Sequence, residues 1–190
     1  MHEIYPLIKQ TVFPDIYREK ILSLQINLGY KCNQSCLHCH VNAGPNRKEI
    51  MNLKTINQVL SFIKKSKIKK IDLTGGAPEL NPHFKLLVEK ANYLGCHIIN
   101  RCNLTIILDL EKENLAEFFV KNNVEIIASL PCYQKNNVDA QRGKGIFEKS
   151  IKALKILNKH GYGYKKNLKL NLVYNPQDAS LPPDQKLLEK

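Results

Sequence analysis

Hydrophobic and polar positions alternate along this chain with two different periods, and the two periods take turns. Over residues 22–28, Leu24, Ile26 and Leu28 fall on one side and Ser23, Gln25 and Asn27 on the other, the period-two pattern of a strand. Helical spacing follows over 55–63, then a short strand over 68–74 that ends at Gly75-Gly76. Asn81 followed by Pro82 predicts a helix start, and the helix runs to 94, where Gly95 closes it. The rest of the chain predicts a strand over 97–101, a helix over 108–121 and a strand over 124–130. A helix over 147–160 closed by Gly161 and a strand over 168–174 complete the series. The resulting β-α-β-α-β-α-β-α-β order implies a parallel sheet with right-handed crossovers. An open doubly wound sheet and a barrel both satisfy it.

The strand faces favour the barrel. Parallel strands buried on both faces read as continuous apolar runs. Here the first strand carries Ser23, Gln25 and Asn27 on one face, and the last opposes Leu168, Leu170 and Leu172 to Lys169, Asn171 and Val173. Uncharged amides on a strand face predict a polar interior that holds a ligand. The strand ends carry the chemically distinctive residues. The first leads to a cysteine cluster, the second to Thr74-Gly75-Gly76, and the third to Arg101-Cys102-Asn103. The fourth leads to Ser129-Leu130-Pro131-Cys132-Tyr133 and the fifth to Tyr174-Asn175-Pro176. Active sites of parallel α/β proteins lie at the carboxyl ends of the strands, so these loops are expected to converge on one mouth.

Composition narrows the class. A 190-residue chain that is 43% hydrophobic can bury one core. It has neither an apolar run of membrane-spanning length nor the layout of a secretory signal at its start, so a cytoplasmic location is expected. The formal charge of +12 comes from lysines spread along the chain without interleaved aromatics, so nucleic acid is not the expected partner. A cytoplasmic chain with six cysteines rarely uses them as structural disulfides.

Three of those cysteines form Cys32-x-x-x-Cys36-x-x-Cys39. Thiolates at such close spacing in a loop suit an iron–sulfur cluster. Three ligands leave one iron of a four-iron cluster open to the amino and carboxylate groups of a small molecule, and an electron passed into a bound sulfonium would break a carbon–sulfur bond. Cys36-Leu37-His38-Cys39-His40 also fits covalent haem attachment, which belongs outside the cytoplasm and leaves Cys32 unused. A Cys₃His zinc site with His38 or His40 is the other rival. It does not explain why the loop follows the first strand and faces a glycine turn. Gly75 and Gly76 would let a ligand approach the backbone closely. Cys102 and Cys132 are either buried apolar side chains or two thiols for a soft electrophile. Cys96 reads as packing.

These strings resemble the radical S-adenosylmethionine superfamily, and most closely its arsenosugar biosynthesis family. The likeness is carried by residues 24–45, 73–84, 101–105, 129–133, 137–145 and 170–176. It implies an incomplete (β/α)6 partial TIM barrel with about five parallel strands and outer helices. It also implies a [4Fe–4S] cluster on Cys32, Cys36 and Cys39 and S-adenosylmethionine beside it. His38 would lie near the adenine; Gly75, Gly76, Asn103 and Ser129 would border the cofactor. The superfamily's glycine-turn motif carries Glu directly after Gly-Gly, whereas here Ala77-Pro78 intervene before Glu79, so the backbone of the two glycines is the alternative to Glu79. The implied reaction joins the adenosyl group to a methylated trivalent arsenical, with Cys102 or Cys132 as the thiol that holds arsenic. An electron donor such as a flavodoxin or ferredoxin is required. The rival functions are a radical enzyme for a peptide or another small molecule, a non-enzymatic zinc or nucleic-acid binding protein, and an inactive truncated fragment. Residues 1–20 are expected to be an extension and 21–190 the core domain, lacking the last strand and the family's C-terminal domain.

Overall fold

Five parallel strands stand side by side in chain order: β1 (Ser23–Asn27), β2 (Lys70–Thr74), β3 (His97–Cys102), β4 (Glu125–Ser129) and β5 (Leu170–Val173). The computed structural model describes residues 19–110 and 114–175, with a few isolated positions outside them. The strands are joined by α1 (Leu53–Ser66), α2 (Phe84–Tyr93), α3 (Ile106–Asp109), α4 (Leu115–Lys121), α5 (Lys135–Arg142) and α6 (Ile146–Lys159). A doubly wound sheet needs a reversal of strand order, which is absent among these five. Same-handed crossovers in unbroken order keep the helices on one face, the arrangement of a partial barrel.

The helix-covered face is apolar. Ile26, Ile71, Leu73, Ile98 and Ile126 of the strands pack with Ile56 and Ile63 of α1, Phe84 and Leu87 of α2, and Phe119 of α4. Phe84 and Phe119 meet edge to face, 6.2 Å between centroids. The opposite face is polar, as the alternation predicted, but it carries more charge than the first and last strands announce. Gln25 Nε2 donates to Asp72 Oδ2 at 3.2 Å, and Arg101 grips the same carboxylate through Nε at 2.9 Å and a terminal nitrogen at 2.8 Å. Further along, His97 Nε2 lies 2.7 Å from Glu125 Oε2, and Asn171 donates to Glu125 Oε1 at 2.9 Å.

Several elements depart from the sequence pattern. Helix α1 begins earlier than 55, because Asn52 caps it by accepting from the Thr55 amide at 2.9 Å. It ends at Lys67, in the left-handed region at φ 52°. Asn81 does not cap α2. Its amide donates to the carbonyls of Leu28 and Met51, both at 2.9 Å, while its oxygen accepts from the His83 amide at 2.8 Å. The single helix expected over 108–121 is two, α3 and α4, with Asn114 left-handed at φ 48° before the second. Helix α5 had no sequence signal, since its eight residues bury only Val138, Gln141 and Arg142 and show no apolar period. Most of 1–20 and most of 181–188, where the start of the next helix was expected, lie outside the described residues.

Asn81→Ala should cost about 2–3 kcal/mol, because it strands the Met51 carbonyl and the His83 amide and removes one of the two donors to the Leu28 carbonyl, which keeps the Met51 amide. A lowered urea midpoint with unchanged slope is the expected reading, and an unchanged midpoint would show that these bonds are replaced by water.

Candidate metal and cofactor site

The cysteine loop is held where it is by the turn that follows β2. Gly76 N donates to Gly29 O and Ala77 N to Lys31 O, each at 2.9 Å. Neither glycine can be replaced without moving that loop. A Cβ on Gly75, which sits at φ 132°, would lie 2.4 Å from Gly29 O, and one on Gly76 would lie 2.4 Å from Lys31 O. The two glycines were expected to admit a ligand. They line the pocket, but the space a side chain would need is already taken by the cysteine loop itself.

The pocket is a cavity of about 260 Å³ at the carboxyl ends of the strands. Cys32, Cys36, His38 and Cys39 line it from the first loop, Gly75 and Gly76 from the second, Asn103 from the third and Ser129 from the fourth. Every sequence-predicted cofactor residue except Glu79 is therefore at one mouth. A larger depression along the outer face of α1, lined by Leu53, Phe62 and Lys65 among others, offers no nucleophile or ligand set.

All three cysteines are free thiols. Asn103 Nδ2 donates to Cys32 Sγ at 3.4 Å, and the Ala43 amide donates to Cys39 Sγ at 3.3 Å. Cys36 Sγ lies 3.4 Å from Gln34 Oε1. Burial pushes the Cys32 thiol up, and the neighbouring Cys36 and Cys39 add to the rise against hydrogen bonds from Gln34 and Asn103. Burial, then the Arg142 charge and His40, hold the His38 imidazole below its usual value, and its Nδ1 is buried without a partner. Among the described residues no three His, Cys, Asp or Glu side chains close on one point as a single ion requires. A four-iron cluster takes its thiolates at separate corners, so three free thiols around one cavity, two of them already facing N–H donors, fit it.

Three predicted site residues are elsewhere. Cys102 is fully buried in the apolar core and its sulfur accepts from the Leu104 amide at 3.3 Å. It follows Ile98 and Asn100 on the helix-facing side of β3, whereas Arg101 faces the polar side. Cys132 is buried as well, with Sγ taking the Gln134 amide at 3.4 Å. Both lie at the cluster end of the sheet, yet neither lines the pocket. Glu79 sits in a single 3-10 turn, Pro78–Leu80, and packs behind the sheet, where its Oε1 accepts from Asn100 Nδ2 at 2.6 Å. Among the further lining residues are two arginines to which the sequence assigned no role, Arg101 and Arg142. Among 29 Lys and Arg, charge alone marks neither.

The fold and this mouth define a parallel α/β partial barrel with three free thiols at its strand ends. The profile of the Radical SAM superfamily matches residues 26–178, and the chain belongs to that superfamily. Superfamily members use a [4Fe–4S] cluster and S-adenosylmethionine. Mycofactocin maturase MftC of Mycolicibacterium smegmatis is 24% identical over 158 residues, 83% of this chain and 39% of its own length. A probable GTP 3',8-cyclase of Methanothermobacter marburgensis is 32% identical over 97 residues, 50% of this chain and 32% of its own length. In fold, the chain is similar to Streptococcus suis SuiB bound to S-adenosylmethionine, with TM-score 0.67 and 20% identity over 84% of this chain and 35% of that one. It is similar also to anSMEcpe with bound AdoMet, with TM-score 0.65 and 20% identity over 80% of this chain and 43% of that one. The chain spans less than half the length of each of these proteins.

Burial raises the Glu79 carboxyl above the usual carboxylate range, against hydrogen bonds from its own backbone, Asn100 and Cys102. The folded chain thus keeps a proton that the unfolded chain releases, and stability falls as pH rises from the ordinary carboxylate range through the raised value. Urea unfolding across pH should show Glu79→Gln gaining on the parent as pH rises. A constant gap would mean that Glu79 ionises alike in both states.

Proposed function

We propose that Cys32, Cys36 and Cys39 hold the [4Fe–4S] cluster and that His38, Gly75, Gly76, Asn103 and Ser129 border S-adenosylmethionine beside it. The observation that carries this is the meeting of three free thiols with the ends of β2, β3 and β4 around one cavity. When bound, the cluster supplies the electron that cleaves the sulfonium into methionine and a 5'-deoxyadenosyl radical. The protein's own part is to hold the thiols and shape the cavity. Asn103 Nδ2 and the Ala43 amide donate to two of the sulfurs and fix where they sit. The glycine turn fixes the loop's height above the sheet. The walls restrict water where a radical must meet its target. An external one-electron donor, a flavodoxin or ferredoxin, completes the reading.

The acceptor we read as a methylated trivalent arsenical, on the likeness of residues 24–45, 73–84 and 137–145 to the arsenosugar biosynthesis family. The burial of Cys102 and Cys132 removes support for a thiol that holds arsenic. The acceptor then meets the polar face around Arg101 and Asp72. A peptide acceptor is the second reading, favoured by the similarity to SuiB, which is known bound to precursor peptide SuiA.

Anaerobic reconstitution should give a brown protein with about four irons per chain. Cys32→Ala, Cys36→Ala and Cys39→Ala should each lose the cluster absorption and its electron paramagnetic resonance, whereas Cys96→Ala should retain both. A full cluster in any of the first three overturns the ligand assignment. With dithionite, S-adenosylmethionine and dimethylated trivalent arsenic, mass spectrometry should find an adenosyl–arsenic product. Formation of 5'-deoxyadenosine alone would keep the radical chemistry and sink the arsenical.

A further inference from the structure

On the helix-covered side of the sheet, behind the turn that seats the cysteine loop, two buried groups make only half of the hydrogen bonding open to them. Asn100 Nδ2 donates to Glu79 Oε1 at 2.6 Å; Asn100 is fully buried and Glu79 is 7% exposed. The second polar atom of each group, Glu79 Oε2 and Asn100 Oδ1, is buried without a partner. An ionised carboxylate only accepts. With Glu79 charged, the pair would leave two bare acceptors and one unpaired negative charge out of water. Turning the Asn100 amide over does not help, because it sets Oδ1 against Oε1, acceptor on acceptor.

No cation among the described residues answers that charge. The 3-10 turn Pro78–Leu80 has no other ionisable side chain. On β3, His97 and Arg101 face the other side of the sheet, where they pair with Glu125 and Asp72. Cys102 faces Glu79, but a thiol is a weak donor, and it leaves Asn100 Oδ1 bare. On α2, Lys85 lies over the Phe118 ring at 5.9 Å, and Glu89, Lys90 and Tyr93 are exposed. Lys31 of the cysteine loop is exposed as well. Glu79 is in none of the ion pairs of the described residues. A proton on Oε2 changes the count. A neutral carboxyl offers one donor beside one acceptor, as a primary amide does, so Oε2 can donate to Asn100 Oδ1 while Oε1 keeps its bond.

We propose that Glu79 is a neutral acid in the folded chain, doubly hydrogen-bonded to Asn100, and that this pair positions the cysteine loop by fastening the glycine turn to β3. The turn's front face carries the loop, through Gly76 N to Gly29 O and Ala77 N to Lys31 O. Glu79 follows in the next turn of chain and grips β3 from behind. Burial, which raises the proton affinity of this carboxyl, acts in the same direction. Glu79 is thus a positioning residue that touches neither the pocket nor what the pocket holds. Loss of its proton would put a carboxylate against Asn100 Oδ1 and loosen the turn, so the seat of the loop weakens as pH rises.

The full chain, labelled with carbon-13 at the glutamate carboxyls, would be followed by nuclear magnetic resonance across pH beside Glu79→Gln. One carboxyl carbon should keep the shift of a protonated acid at pH values where the other glutamates have ionised, and it should be missing from Glu79→Gln. Hydrogen exchange reads the consequence. Opening that exposes Glu79 releases its proton, so protection of the Gly76 and Ala77 amides, corrected for intrinsic exchange, should fall roughly tenfold per pH unit between the ordinary carboxylate value and the raised one. Glu79→Gln, whose amide offers the same donor and acceptor, should fold and show no such slope. If every glutamate ionises in the ordinary range, the carboxylate is charged, a water supplies the missing donors and the proposal is overturned. A Glu79→Gln that fails to fold overturns it as well, since the isostere of a neutral acid must fit. So does a parental slope that persists in Glu79→Gln. Both measurements are made with and without iron, so their failure is distinct from a Cys32→Ala variant that loads fully, which would sink the ligand assignment alone.

Discussion

Everything at the mouth of this sheet depends on how closely the cysteine loop can sit on the turn after β2. Two backbone hydrogen bonds fasten that loop, and the glycines opposite them leave no room for even a methyl group. The loop is long and polar, and its own residues would not fix its height above the strands. Because the contact is backbone to backbone, the three cysteines inherit the position of β2 rather than the freedom of a surface loop. Asn81 reinforces the same junction from below by holding the carbonyls of Leu28 and Met51.

The rest of the sheet follows a division of labour between its faces. On the helix side, apolar residues from five strands and their helices exclude water. Glu79 and Asn100 are exceptions there; with Glu79 ionised, Glu79 Oε2 and Asn100 Oδ1 would lack partners, a local cost that a proton on the carboxyl removes. On the other side, polar and charged side chains run across the strands in the pairs Asp72 with Arg101 and Glu125 with His97. Those pairs are partly exposed and contribute little to stability. Their consequence is a polar floor beneath the cysteine pocket. At the outer edge, β5 leaves Leu172 and Val173 exposed. Among the described residues β5 pairs on one side only, with β4.

The alternation of periods made the strand and helix order legible, because burial of one face is a local, repeated constraint that the sequence must write at every second or every third to fourth position. The three cysteines were legible for a related reason. Three thiols within one loop carry their proximity in their spacing, and no distant residue is needed to bring them together. The Gly-Gly turn was visible as a turn, but its tight seating against the backbone of Gly29 and Lys31 was not, since what fills the space beside a glycine is a tertiary fact.

The same limit explains the misses. Helix α5 has no apolar period; it buries Val138, Gln141 and Arg142 and is tied down by side-chain hydrogen bonds of Asp139, Gln141 and Arg142. Cys102 and Arg101 are adjacent in sequence and lie at the same strand end, but they face opposite sides of β3. Which side becomes the pocket is settled only when β2 and β4 pair with it. Glu79 is turned behind the sheet by Ala77-Pro78, and its partner Asn100 is 21 residues away. Arg142 joins Gln34 across 108 residues. The sequence by itself determined the order of elements, the polar and apolar faces and the thiol triplet, because each is a short-range pattern. The tertiary structure alone decided which buried charge faces those thiols and which cysteines do not, because that depends on the pairing of strands far apart in the chain.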